Sequence, residues 1–162
     1  MPSISKTLLL ALIFMAALPL LSTNMFLASI GDIAKEFDTG YDTIALALSA
    51  YLIFAAIVQI IVGPLADQFG RKPVLLISCI IFILASTGAA TAENYISFLI
   101  FRILQGSIAT GLALSRVIVS DIVSPKAAAS MLGYISMAMS LAPVLGPTIG
   151  GLLAEFAGWR SN

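Results

Sequence analysis

Gly63-Pro64-Leu65-Ala66-Asp67-Gln68-Phe69-Gly70-Arg71-Lys72-Pro73 is a short charged turn set between two long apolar runs. Thr43 to Ala66 upstream and Val74 to Ala92 downstream carry no charge. A bilayer core about 30 Å thick needs roughly 20 apolar helical residues to cross it, and each run supplies that length. The stretch therefore reads as a hairpin at a membrane surface, with a helix entering lipid on either side. Gly63 and Pro64 are expected to end the upstream helix with a kink. Gly70 permits the reversal, and Pro73 suits the first turn of the next helix. Arg71 and Lys72 are explained by topology alone. Asp67 is not, because an acid near a helix C-terminus is unfavourable unless paired. Its candidate partners are Arg71 and Arg116, and Asp121 is placed to hold Arg71 from the other side. Such a cluster would latch the inner ends of three helices.

The rest of the chain repeats this pattern. Of its 162 residues, 60% are hydrophobic and only 10% charged, too few polar groups to cover a water-soluble domain. Five stretches have spanning length: 7–30, 43–66, 74–92, 95–120 and 127–154. The expected fold is an all-α polytopic membrane bundle that occupies residues 1–162. The first stretch opens like a signal peptide after Lys6, but its uncharged run is too long and no small-x-small cleavage site ends it, so it reads as a retained span. Net charge is zero, which gives no electrostatic case for nucleic acid. Histidine is absent, and the single Cys79 has no internal disulfide partner. No metal-ligand cluster, nucleophile–base pair or phosphate loop is present, so neither an enzyme nor a cofactor is expected.

Lys/Arg bias in the short loops sets the expected orientation. Lys6, Arg71, Lys72, Arg116 and Lys126 fall on one side. Lys35 and Arg160 fall on the other, among Asp32, Glu36, Asp38, Asp42, Glu93 and Glu155. The basic side is read as cytoplasmic, which puts the amino terminus inside a plasma membrane. Trp159 then suits an anchor at the outer interface.

Polar residues inside the apolar stretches carry the functional reading. Arg102 lies about two turns inside the outer end of the fourth span. An arginine at mid-helix costs roughly 2.5–3.5 kcal/mol on insertion scales, while each Leu, Ile or Phe of the span returns roughly 0.3–0.6 kcal/mol. Insertion survives, but Arg102 is not there for stability. It should face the bundle interior or a wet cavity, unless it merely snorkels to the headgroups. Gln105 lies near the same face, and Gly106 allows close approach of a helix or ligand. At a comparable depth in the first span Asn24 is expected to accept a hydrogen bond from Arg102, or else to make an ordinary, satisfied interhelical hydrogen bond. It cannot neutralise the charge.

In the fifth span Ala142, Gly146 and Gly150 recur every four residues and share a face, a spacing that lets helices touch backbone to backbone. Pro143 and Pro147 each remove an amide donor, and Gly151 follows Gly150. The bland alternative is simple packing in a bundle.

Together these segments resemble the major facilitator superfamily. Gly63 to Pro73 resembles its loop between helices two and three, Arg102 to Gly106 its helix-four motif, and Gly146 to Gly151 the helix-five motif typical of antiporters, with Ala142 where a leading Gly is usual. Arg116 to Asp121 and Asn24 to Phe37 resemble drug:proton antiporters of the Bcr/CflA type. The resemblance implies twelve helices in two six-helix halves that rock to expose a central site to each side in turn. It also implies efflux of drug-like molecules against an inward flow of protons. Asn24, Arg102 and Gln105 would serve the substrate or proton pathway. Gly63, Asp67, Gly70, Arg71, Lys72, Arg116 and Asp121 would form a conformational latch. Ala142, Pro143, Gly146, Pro147, Gly150 and Gly151 would tune a helix interface. Relatives often carry an acid where Asn24 stands, and no carboxylate lies mid-membrane here.

Five spans are fewer than one half of such a carrier. The expectation is therefore an amino-terminal piece, with a sixth helix and carboxy-terminal half missing and its faces left to lipid or self-association. The alternatives are an exporter of sugars or other metabolites in the same superfamily, or a non-transporting subunit that pairs with another carrier half.

Overall fold

The computed structural model describes residues 5–162. The main helices are α1 (Lys6–Glu36), α2 (Tyr41–Phe69), α3 (Arg71–Ala90), α4 (Tyr95–Gln105), α5 (Ala109–Ile122) and α6 (Pro125–Ala157). A 3-10 turn, Gly106–Ile108, joins α4 to α5 into one span, and a second, Trp159–Ser161, follows α6. Among the described residues five helices are long and apolar enough to cross a membrane, as the sequence predicts. Most extend beyond the apolar stretches. Polar ends such as Asp32 to Glu36 carry no hydropathy signal, yet they continue the backbone hydrogen-bond ladder.

Local chemistry fixes the helix ends. Ser5 Oγ accepts from the Leu8 amide at 3.1 Å, and Asn94 Oδ1 accepts from the Ser97 amide at 2.9 Å. Each fills an orphan donor of a first turn. Pro125 opens α6 behind Ser124, where a missing N–H costs nothing. Asp38, just past α1, adopts a left-handed φ of 47°, which Asp tolerates better than bulkier residues. Gly70 alone separates α2 from α3, with φ 90° and ψ 149°, a conformation closed to residues with a Cβ. The kink expected at Gly63 and Pro64 does not end a helix, because α2 runs unbroken to Phe69. Proline removes one amide from the ladder, and the flanking turns are enough to carry α2 through.

The packing inverts the soluble rule. Small residues recur through the interior, among them Ala16, Ala47, Ala55, Ala66, Ala85 and Ala142, beside larger ones such as Ile30, Tyr51 and Leu114, while Leu10, Ile53, Ile60, Leu84, Val144 and Phe156 point outward. Where lipid is as apolar as Leu, close approach rather than hydrophobic burial holds helices together. The α4–α5 span is the hub: half of its apolar window is buried, against 17–22% for the other four spans.

Glycines mark the tightest crossings. A Cβ on Gly106 would lie 3.1 Å from the Tyr51 carbonyl oxygen, and one on Gly111 would lie 2.5 Å from that of Met15. The Met15 carbonyl is the group that Pro19 deprives of its helical donor, so a proline gap on α1 faces a bare Cα on α5. The expected small face of α6 packs against α1. Ala142, Gly146 and Gly150 are buried, and Cβ atoms on the two glycines would lie 2.5 Å from Asn24 Cβ and 2.8 Å from Met25 Cα. Pro143, Pro147 and Gly151 are exposed on the other side of this continuous helix.

Candidate pathway site around Arg102

Arg102 reaches the interior. Its side chain is buried, 3% exposed, which removes the headgroup-snorkelling alternative. The helical step from Arg102 to Gln105 places both on one face, and Nη1 donates to Gln105 Oε1 at 2.7 Å. Gln105 Nε2 in turn donates to Ser86 Oγ on α3 at 2.9 Å. Nη1 also donates to Ser22 Oγ on α1 at 3.3 Å. The guanidinium carbon lies 4.3 Å from the Phe26 ring centroid and 4.5 Å from that of Tyr51, so two aromatic faces from α1 and α2 flank the charge. Four spans therefore meet at this cation.

Asn24 does not take the predicted role. Its amide donates to the Leu20 carbonyl of its own helix at 2.8 Å, and its Cβ packs against Gly146. The physical reason is helical phase. Ser22 and Asn24 are two residues apart, and residues at that spacing do not share a face. Ser22, on a different phase of the helix, is the α1 residue that faces Arg102.

Electrostatically the site is unbalanced. Arg102 Nε and Nη2 are buried without a hydrogen-bond partner, and none of the five apolar stretches contains an acid. Cation–π contacts contribute roughly 0.5–2 kcal/mol each, but an unsatisfied buried donor costs about 1–3 kcal/mol, more on a charged group. The rings cushion the charge without countering it. A cavity of about 40 Å³ adjoins the guanidinium, lined in part by Ser22, Ser29, Ser86 and Gln105 and by Trp159, Arg160 and Asn162.

The sequence did not reveal the part that this last turn plays. Trp159, read as an anchor at the outer interface, is buried against Phe37 and Phe98 at centroid distances of 5.9 and 5.6 Å. Its indole N–H donates to Glu36. Arg160 pairs with Glu36 at 2.6 Å and donates to the carbonyls of Ala90 and Ala92, each at 2.7 Å. The turn after α6 thus clasps the ends of α1 and α3. Its contacts span more than 60 residues of chain, beyond the reach of local pattern reading.

At the opposite, hairpin end, Arg71 on α3 forms an ion pair with Asp121 on α5, as predicted. Each charge sits at the wrong end of its own helix dipole, and the pair offsets both penalties. The rest of the predicted latch is not assembled. Asp67 has no ion pair among the described residues and lies on the exposed side of α2, beside buried Ala66. Arg116 is exposed and meets Met139 Sδ at 3.4 Å. One helical residue turns the chain by about 100°, so with Ala66 inward Asp67 points away. Gly63 and Lys72 are exposed, and neither joins the Arg71–Asp121 pair.

The geometry defines a polytopic membrane bundle built around one buried cation. The family model described as Major Facilitator Superfamily matches residues 10–162, and the chain belongs to that family. Among curated relatives it is 35% identical over 149 residues to MFS-type transporter R5 of Phoma sp., covering 91% of this chain and 28% of that protein. It is 27% identical over 155 residues to multidrug resistance protein D of Escherichia coli, covering 95% and 39%. It is 27% identical over 143 residues to citrate exporter 1 of Aspergillus niger, covering 87% and 27%. The chain thus spans well under half the length of these relatives.

Proposed function

We propose that the chain is the amino-terminal bundle of a proton-coupled efflux carrier for drug-like small molecules that works by alternating access. The observation that carries this reading is Arg102, a cation sealed where four spans meet, at a net cost to stability that a structural residue would not incur. Arg102 and Gln105 serve the pathway, with Ser22 in the place expected for Asn24. The Arg71–Asp121 pair is the part of the latch made within this bundle, and Asp67 is exposed to act on something outside it. The exposed Pro143–Gly151 face of α6 is available to a further helix. Lys/Arg bias supports a cytoplasmic hairpin end in a plasma-membrane carrier. The name of the multidrug relative supports the drug substrate, and the motif resemblance supports the Bcr/CflA type.

Export of anionic metabolites is the second reading, favoured by the uncountered charge at Arg102 and by the name of the citrate relative.

The test is expression of the whole gene in a bacterial host stripped of its own efflux carriers. The reading expects lower accumulation of a fluorescent cationic dye, restored by a protonophore. Accumulation equal to the empty vector across a broad compound panel contradicts it.

A further inference from the structure

Three amide side chains lie within the five apolar stretches: Asn24, Gln59 and Gln105. Two of them turn back onto their own helix. Asn24 donates to the Leu20 carbonyl at 2.8 Å and Gln59 to the Ala55 carbonyl at 3.4 Å, each four residues earlier. A carbonyl of the preceding turn is the acceptor that a local side chain reaches without help from another helix. For Gln105 the equivalent acceptor is the Phe101 carbonyl, and Gln105 does not take it. Its Nε2 donates instead to Ser86 Oγ on α3 at 2.9 Å, which leaves Oε1 to accept from Arg102 Nη1 at 2.7 Å.

Arginine carries donors only, so the amide serves Arg102 only with its oxygen toward the guanidinium. The NH2 group must then find an acceptor elsewhere, because Gln105 is buried, 6% exposed, and a buried donor left unpaired is costly. Ser86 is that acceptor, and the α3–α4 crossing brings it within reach. A Cβ on Gly88 would lie 2.5 Å from the Phe101 ring, so the bare Cα of Gly88 seats that ring and lets the two helices lie close. Phe101 and Gln105 are one turn apart and share a face of α4, the face that meets Gly88 and Ser86.

We propose that Ser86 is a positioning residue for Arg102 that acts through Gln105: it draws the amide off its own helix and holds Oε1 on the guanidinium. The inference rests on reading Arg102 as a pathway residue. It gives α3 a part in setting that site through a side chain that makes no hydrogen bond to the cation itself. With Ser86→Ala the amide should fold back onto the Phe101 carbonyl, as Asn24 and Gln59 do on their helices. Nη1 would then keep only its 3.3 Å bond to Ser22.

The chain has four arginines and three glutamines, few enough for their side-chain nitrogen resonances to be assigned by single substitutions in detergent micelles. Ser86→Ala should shift the Arg102 guanidinium resonance, and Ser86→Thr, which keeps the hydroxyl, should return it toward the wild-type position. Ser86→Ala added to Gln105→Ala should move it no further than Gln105→Ala alone, with helicity by circular dichroism unchanged. In the whole carrier at equal membrane levels, Ser86→Ala should lower dye efflux roughly tenfold, the scale of one lost hydrogen bond to a charged group, and Ser86→Thr should restore it. A residue that only supported packing would gain nothing from the hydroxyl of Thr, and its loss would add to that of Gln105. An Arg102 resonance unmoved by Ser86→Ala, a further shift in the double variant, or undiminished efflux in Ser86→Ala overturns the inference. Absence of efflux from the unaltered carrier removes the carrier reading instead, and the resonances then decide the positioning.

Discussion

Arg160 and Glu36 are 124 residues apart in sequence and pair at 2.6 Å where the ends of α1 and α3 meet the turn after α6. The pair is half-exposed, and such pairs alone are worth at most about 1 kcal/mol. Its importance lies in the other acceptors. Arg160 also holds the carbonyl of Ala90, an orphan acceptor at the C-terminal end of α3, and that of Ala92 in the loop beyond it. Arg160→Ala should therefore cost about 1–3 kcal/mol in detergent unfolding and shift Trp159 emission to the red. Swapping the charges (Glu36→Arg with Arg160→Glu) should fail to restore stability, because a carboxylate cannot donate to those carbonyls. Full rescue by the swap would reduce the clasp to a simple ion pair.

The α1–α6 crossing gives a sharper comparison. Gly146→Ala and Gly150→Ala each push a methyl into α1, and overpacking of this kind costs typically 1–3 kcal/mol. Gly151→Ala meets nothing within 4 Å and should change unfolding by less than about 0.5 kcal/mol. Equal effects at 150 and 151 in a denaturant titration would show that α6 does not present the face described.

Gly70 makes the one-residue reversal between α2 and α3. Gly70→Ala should destabilise by roughly 1–3 kcal/mol through backbone strain, read as a lower midpoint of unfolding. Asp121→Asn, which removes a partly exposed partner, should cost no more than about 1 kcal/mol, and added salt should narrow its difference from wild type. A salt-insensitive loss at Asp121 would mean the residue acts through something other than Arg71.

These cases show which parts of the structure the sequence encodes locally. Span number and type were legible because an apolar run of bilayer length without an acid has few other readings. The Arg102–Gln105 contact was legible because a spacing of three on a helix fixes it. Asn24 misled because depth was compared without phase: it lies two positions from Ser22, and its own helix offered the Leu20 carbonyl. Asp67 misled for the same reason, since Ala66 takes the inward position. The Trp159–Arg160–Glu36 clasp left no local signal at all. Nothing in a Gly-Trp-Arg turn says which distant helix ends it will bind.

Transport by the Arg102→Gln variant is the measurement that bears most directly on the central claim. Glutamine keeps polar contacts to Ser22 and Gln105 within reach but removes the cation. At equal membrane levels in the carrier-deficient host, dye accumulation should rise to that of the empty vector. Efflux retained at the wild-type rate would show that the buried charge is structural, and the pathway assigned to it would be wrong.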